Sequence, residues 1–522
     1  VTALVFVPRE SYDTALRQRI GALLTEAYQG DLKSFQPYFD SGPLARVHFE
    51  IALHPDHPEP DPEDIERRII ELARTWDQGF RELLMSSGLS GADREGARSF
   101  VGAFNAAYRE AFPPEEALRD VTCMAELSAG KPIVARAYRL ESDTASKVRV
   151  KIYARTGSIP LSRCVPVFEN LGLFVDFETG YPVRPQTKPV EDAPDTYWVH
   201  SLSMQTADGS ALPLEDIAHA FEQAFLAVWG GLAENDGFNK LVLVAGASWR
   251  QAALIRALAS YRRQSGLDQP QEVQEAALAR YPAVTRLLLD LFATRFDPEA
   301  HKTLDARKKA QSAIAAKFEE AMKDVVSLAD DIVLRRLFHL IEAIQRTNFY
   351  QEDENGDVRP FISFKVASRE LADLPEPKPF REIFMHSPKV EGVHLRFGPV
   401  ARGGLRWSDR PSDYRTEVLG LVKAQQVKNA VIVPVGSKGG FYPKQLADRS
   451  DRDAWFESGR DAYKQFITAL LGVTDNIVHG KVVHPQRTVI WDGEDPYLVV
   501  AADKGTATFS DTANAISLEK GH

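Results

Sequence analysis

The sequence predicts a multidomain α+β and α/β protein: two small α+β modules, helical insertions, and a mixed α/β domain. Three observations predict it. The chain has 522 residues, more than one ordinary hydrophobic core organises. Two stretches, 1–55 and 113–205, interleave short β-branched runs with single amphipathic periods. Helical apolar spacing then dominates 206–345 and yields to alternating strand and helix signals over 346–522.

Ala3–Val7 reads as a strand, and Asp13–Glu26 carries helical apolar spacing at Leu16, Ile20, Leu23 and Leu24. Strand-like runs follow at Gln36–Asp40 and Leu44–Leu53. His54–Pro62 is a proline-rich acidic linker; the prolines between its histidines oppose convergence on a metal. A helical segment over 60–112 shows apolar positions at Ile65, Ile69, Leu72, Trp76, Phe80 and Leu83. Strands are expected at Pro132–Tyr138, Lys147–Ala154, Leu173–Glu178 and Tyr197–Met204, with a helix over Pro160–Leu171. Pro182–Asp195 is a second linker. Phe221, Phe225, Val228 and Trp229 mark one apolar helical face of the next domain, and Leu287–Leu289, Leu291 and Phe292 another. Further on, Phe361–Val366, Gly392–Phe397, Val489–Trp491 and the run from Tyr497 read as strands, and Ala454–Leu471 as a helix.

Net charge is −10 and only Cys123 and Cys164 are present. The acidic balance argues against nucleic acid as a partner. No apolar run reaches the length of a membrane span. Two cysteines without metal-ligand spacing fit a reducing, cytoplasmic setting, and no metal site is expected. The chain starts at Val1 without a secretion signal and stops at His522 without a stop pattern; from these ends we expect a piece of a longer protein.

The stretch Pro399–Lys444 concentrates chemistry-bearing residues. It sets Gly403-Gly404 between Arg402 and Arg406. Gln425 and Lys428 follow, three residues apart and so on one face if a helix from Tyr414 continues. Lys423 falls off that face and reads as solvated. Lys438 stands within Gly436-Ser437-Lys438-Gly439-Gly440, where glycines permit a tight turn or close approach to a ligand. A lysine there would hold a carboxylate or serve as an amine. Each has a plainer reading: Arg402 as surface charge, Lys428 against the helix dipole, Lys438 at a hairpin tip, and Asp503 as a helix cap. Ten extended residues span about 35 Å, so the chain must bend near Pro434–Gly436 for Lys428 and Lys438 to meet one ligand. The phosphate-loop pattern G-x-x-x-x-G-K-[ST] is absent, and so is G-x-G-x-x-G between a strand and a helix.

Over Gly392–Lys444 and Tyr497–Asn514 the chain resembles glutamate dehydrogenases, in particular the large bacterial NAD-dependent form. The resemblance implies a glutamate-dehydrogenase substrate domain over 346–522, truncated at its C-terminal end. It implies Lys438 and Asp503 as catalytic residues, Lys438 beside the reacting carbon and Asp503 moving protons to and from ammonia, with Asp511 a weaker competitor for the acid. It implies Arg402, Gly403, Gly404, Gln425 and Lys428 as the substrate-binding set. Arg402 stands where smaller members place a lysine, which keeps charge but changes reach and geometry. The Lys428–Lys438 interval is shorter than in those members and the Lys438–Asp503 interval longer, with an extra segment around Asn476–Pro496. NAD is implied as cofactor, bound mainly by a domain outside this chain, and L-glutamate and 2-oxoglutarate as substrates.

The two small modules resemble ACT-like amino-acid sensors, which implies a regulatory amino acid; a docking platform without ligand is the other reading. A homo-oligomer is expected. The alternative to an enzyme is a non-catalytic sensing or assembly scaffold, in which changing Lys438 has no effect.

Overall fold

The computed structural model describes residues 1–522 except 41, 56, 90, 128–129, 267–268, 429–434 and 501–506. The chain divides into two compact units: Val1–Val134 with Lys151–Ser158 and Thr179–Ser201, and Ala135–Val150 with Ile159–Glu178 and Leu202–His522.

The first unit opens with β1 (Thr2–Pro8), α1 (Thr14–Tyr28), β2 (Gly30–Phe39), β3 (Leu44–Leu53) and α2 (Pro62–Ala73). The strands form an antiparallel sheet in the order β1-β3-β2. Val5, Val7, Val47, Phe49 and Ile51 alternate inward to meet Leu16, Ile20, Ile65 and Ile69. Asp13 caps α1, its Oδ1 accepting from Leu16 N at 2.6 Å. Then come α3 (Trp76–Ser86), α4 (Gly91–Arg98), α5 (Ala106–Ala111) and α6 (Pro114–Ala125). The strands β4 (Ile133–Tyr138), β5 (Lys147–Ala154), β6 (Leu173–Val183) and β7 (Tyr197–Thr206), with α7 (Leu161–Asn170) before β6, form a sheet ordered β4-β5-β7-β6 and give segments to each unit. The strands expected up to Met204 are all present, β2 and β6 being longer than the apolar pattern indicated.

The rest of the second unit begins with helices: α8 (Leu214–Trp229), α9 (Leu241–Val244), α10 (Trp249–Gln264), α11 (Gln271–Arg280), α12 (Pro282–Phe296), α13 (Leu304–Ala321) and α14 (Leu328–Ala343). Next come β8 (Ile344–Thr347), β9 (Ile362–Val366), β10 (Arg381–His386), β11 (Val390–Arg396), β12 (Arg402–Trp407), α15 (Tyr414–Lys428), β13 (Gly436–Pro443), α16 (Arg452–Leu471), β14 (Asn476–Val478), β15 (Lys481–Val483) and α17 (Ser510–Glu519). Six strands make one sheet, ordered β12-β13-β11-β10-β9-β8. Only β12 and β13 in it run parallel, as expected for strands joined through a helix.

One face of this sheet packs against the helical region. Phe364, Phe384, Val393 and Leu395 join Tyr261, Leu337, Tyr414, Val418 and Val422 in one core. The other face packs on α16 and α17, where Met385, Leu405 and Phe441 meet Tyr463, Phe466, Phe509 and Ile516. Polar contacts join α10 to the base of α15, Gln264 Nε2 donating to Pro411 O at 2.7 Å and Gln264 Oε1 accepting from Arg415 N at 3.3 Å, and α15 to the sheet, Arg415 pairing with Glu382 on β10 at 2.6 Å.

Two expected strands are corrected. Val489–Trp491 and the described part of the run from Tyr497, up to Val500, are irregular. Trp491 N donates to Gln345 O at 3.2 Å, and in the run from Tyr497 side chains take the carbonyls a ladder would have used. Arg396 Nη1 donates to Tyr497 O at 2.8 Å, and His394 Nε2 lies 2.9 Å from Val499 O. The extra segment around 476–496 opens as the short hairpin β14–β15.

Candidate active site

Gly403, Gly404, Gly436, Gly439 and Gly440 of the signature stretch lie inside strands. This corrects the expectation of a turn around Lys438, which sits within β13 and is 7% exposed. The expected bend near Pro434–Gly436 falls largely on residues outside those described; Gly436 itself already belongs to β13. Lys438 pairs with Gly404 on β12 and with Leu395 on β11.

Alternation fixes which face each residue serves. A Cβ on Gly436 would meet Val422 Cγ2 at 3.0 Å and Gln425 Cβ at 3.3 Å; one on Gly440 would meet Val418 Cγ2 at 2.5 Å. Those are α15 side chains, so Gly436, Lys438 and Gly440 all serve the α15 face. The parallel register puts Arg402 beside Gly436, Gly404 beside Lys438 and Arg406 beside Gly440, on that same face. Arg406 confirms the direction, its Nε lying 2.6 Å from Glu417 Oε1 on α15. The glycines are thus a packing requirement, because α15 comes too close to β13 for side chains at 436 and 440. Gly403 is equally constrained, since a Cβ there would lie 1.5 Å from Ser437 O. Gly404 leaves the position beside Lys438 without a side chain.

Gln425 joins the two strands to the helix. Its amide nitrogen, oriented to satisfy both acceptors, donates to Arg402 O at 3.3 Å and Ser437 O at 3.0 Å. Its nitrogen therefore works on the scaffold that carries Arg402 and Lys438. The Arg402 side chain is exposed, and among the described residues no carboxylate pairs with it. Lys423 is exposed and donates to Glu376 O at 3.2 Å, in keeping with its solvated reading. The register therefore brings Arg402, Gly404, Gln425 and Lys438 to one face. Lys428 ends α15, and its side chain lies outside what is described. Asp503 lies outside the described residues altogether. Its flanks, Leu498, Val500 and Phe509, pack in the α16 core. Asp511 is exposed in the first turn of α17, a favourable place for an anion.

Sequence reasoning missed the charges on the opposite face. Arg346 pairs with Asp475 at 2.5 Å and Asp492 at 2.6 Å; Lys365 pairs with Asp492 at 2.7 Å and Asp495 at 2.6 Å; Arg396 pairs with Asp495. Burial alone would raise the Asp475 carboxyl, but the Arg346 hydrogen bond and its other donors hold it down at about 2. Burial pushes the Lys365 ammonium below its ordinary value against the pull of Asp492 and Asp495. No local pattern marks these residues, because their partners are 99 or more positions away.

One group among the described residues has metal-ligand geometry: Glu234, His386 and Glu391. The Lys444 ammonium already sits among them, 2.8 Å from Glu234, 2.5 Å from Glu391 and 3.1 Å from His386. Burial would raise both carboxyls, and the neighbouring Lys444 and His386 hold them low. A lysine therefore supplies the cation there. The β12–α15 turn, Ser408–Asp413, does not fit a dinucleotide pyrophosphate either. It has no glycine, and Arg410 there is already paired with Asp413. Glu417 adds negative charge in the first turn of α15, where a pyrophosphate would need backbone N–H groups.

Five family models match the chain. The one described as bacterial NAD-glutamate dehydrogenase, catalytic domain, matches residues 317–522. Glutamate dehydrogenase ACT2 and ACT3 domains match 1–77 and 132–217, and helical motifs 2 and 3 match 94–127 and 233–298. The NAD-specific glutamate dehydrogenase of Halomonas elongata is 43% identical over 526 residues, covering 100% of this chain and 32% of that protein. Those of Pseudomonas aeruginosa and Mycobacterium tuberculosis are 41% identical over 519 residues and 38% over 552, covering 99% and 100% of this chain and 32% and 33% of theirs. The chain spans about a third of the length of the relatives it matches.

Proposed function

From a chain that resembles the bacterial NAD-specific glutamate dehydrogenases along its whole length, we propose that the complete protein oxidatively deaminates L-glutamate to 2-oxoglutarate and ammonia with NAD. The observation that carries this reading is the β12–β13 register. It sets a nearly buried lysine beside a glycine, on the face shared with Arg402 and Gln425. Arg402, exposed at the mouth of that face, binds the distal carboxylate through charge-assisted hydrogen bonds. Lys428 and Gln425 serve the α-carboxylate, Lys428 directly and Gln425 by fixing both strands. Clamping both ends orients the Cα–H. Lys438 positions water and moves its proton as the imine carbon is hydrolysed, and Asp503 exchanges protons with the departing ammonia. The β12–α15 turn does not fit a pyrophosphate, so no residue here is assigned to receive the hydride, and NAD is proposed to be held mainly elsewhere in the complete protein.

The ACT matches support an amino-acid effector acting on the modules at 1–55 and 113–205. We assign the helical regions 60–112 and 206–345 to scaffolding, and 346–522 to the substrate domain. No helix among the described residues is long and apolar enough to cross a membrane. A cytoplasmic setting, which two cysteines far apart in sequence fit, and a homo-oligomer are proposed with it. The test is glutamate-dependent NADH formation by the full-length protein and its Lys438→Ala variant. Loss of turnover with retained fold supports the reading, whereas wild-type turnover removes Lys438 from the chemistry.

A further inference from the structure

The loop from β8 to β9, the end of α16 and the segment after β15 frame a cleft of about 420 Å³. Strand register places it at the other end of the sheet from Arg402. Arg402 aligns with Gly436, Ser437 with Arg396, and Arg396 with Arg381, next to the residue that meets Val366. Arg359 and Phe361 of the cleft instead precede Ile362, at the opposite end of β9. β9 is also four strands from β12, on the order of 19 Å across the sheet. A ligand in this cleft does not occupy the candidate active site.

The walls are tied together. Buried Arg250 donates to Arg359 O at 2.7 Å and to Phe349 O at 3.0 Å, which fixes both ends of the β8–β9 loop. Gln351 Nε2 donates to Gly472 O at 2.7 Å and to Thr488 Oγ1 at 2.9 Å, joining all three walls. Arg487 Nε donates to Tyr350 O at 2.9 Å. Arg487 holds φ at 49°, in the left-handed region that a non-glycine residue adopts at a cost. His484 Nδ1 lies 2.7 Å from Asp475 Oδ1. Arg346 keeps Asp475 ionised, so the hydrogen is on Nδ1, and Nε2 is the ring nitrogen left to the cleft.

Three cations, Arg359, Arg487 and Lys520, line the cleft with two acids, Glu352 and Asp353. Both acids are engaged. Asp353 Oδ1 accepts from Asn355 N at 2.8 Å and from Asp357 N at 3.0 Å, and Glu352 Oε1 lies 3.7 Å from Arg487 Nη2. The half-buried Arg359 guanidinium has neither an ion pair nor a hydrogen bond among the described residues. A braced cleft with excess positive charge and an unspent guanidinium is built for an anion.

We propose that this cleft is a second binding site, for a small dianion, dicarboxylate or phosphate. One anionic group sits on Arg359 through two parallel hydrogen bonds, and Arg487 meets the second charge. His484 Nε2 accepts from a hydroxyl or protonated oxygen of the ligand.

The test is calorimetric titration of the full-length protein with succinate and, separately, with inorganic phosphate. Wild type is compared with Arg359→Ala, Arg359→Lys and Arg402→Ala. At least one probe should bind, and Arg359→Ala should weaken that binding about ten- to a hundredfold through loss of a charge-assisted hydrogen bond. Arg359→Lys should recover part of it, and Arg402→Ala should leave it unchanged. Binding of succinate alone assigns the site to dicarboxylates, and of phosphate alone to phosphates. No heat from either probe, equal affinity in wild type and Arg359→Ala, or binding lost only in Arg402→Ala would overturn the proposal. Should Arg359→Ala not fold, Arg359→Gln decides, since it keeps bulk and drops the charge: weakened binding supports the site and unchanged binding overturns it.

Discussion

The six-stranded sheet holds its cations in two ways: most are paired with carboxylates on either face, as Arg415 is with Glu382 on the α15 side, whereas Arg402 has no such partner among the described residues. On the α16 side, Arg346, Lys365 and Arg396 are buried, and each meets one or two aspartates from the 475–495 segment. On the α15 side, Arg402 is exposed with no ion pair among the described residues, and Lys438 lies in a strand lined by glycines. Arg396 and Arg402 are six residues apart, yet one pins a loop and the other faces outward. A buried cation whose charge is matched by a carboxylate is a fastener. An arginine held on a rigid strand and left open to solvent is available to a ligand.

The largest expected effect tests the open face. Lys438→Ala in the full-length protein should cut kcat by roughly 10²–10⁴-fold while leaving thermal stability close to wild type. Arg346→Ala should do the reverse. It leaves Asp475 and Asp492 buried with less compensation and should cost about 3–5 kcal/mol of stability, measured by denaturant unfolding. Equal stability losses in the two variants would erase the distinction between the faces.

Acid sharpens it next. Folded His394 has its pKa pushed down to about 4, from an ordinary 6.5. Between those values the unfolded chain binds a proton that the folded chain does not, so stability falls as pH drops from about 6.5 to 4. Two and a half units correspond to on the order of 3 kcal/mol. Wild type should lose that increment over this window and His394→Gln should not; identical pH dependence would place the titration elsewhere. The smallest effect belongs to Arg402→Ala, which should raise KM for glutamate about ten- to a hundredfold through loss of a charge-assisted hydrogen bond. Arg402→Lys should recover part of it, and an unchanged KM would return Arg402 to ordinary surface charge.

Local pattern was a good guide where local physics dominates. The helix from Tyr414 reaches Lys428, the condition on which Gln425 and Lys428 share a face, and β3 spans Leu44–Leu53 as read. It misled where packing overrides propensity. Gly436–Gly440 reads as a turn because glycine is a poor strand former, yet those glycines are in β13, where α15 crosses too closely for side chains at 436 and 440 and Leu405 leaves no room for one at 439. The run at Tyr497–Val500 reads as a strand, yet His394 and Arg396 take the carbonyls a ladder would have used. Asp503, central to the candidate site, lies outside the described residues, so its place beside Lys438 rests on the resemblance.

The sequence by itself determined the helical regions, the small α+β modules and the residue types of the candidate site. Periodicity and residue chemistry act over a few positions, and the chain displays both directly. Only the tertiary structure decided that Arg402, Gly404, Gln425 and Lys438 share one face and that Arg346, Lys365 and Arg396 are neutralised on the other. Strand register and ion pairing join residues tens to more than a hundred positions apart, and which partner is reached depends on the packed fold.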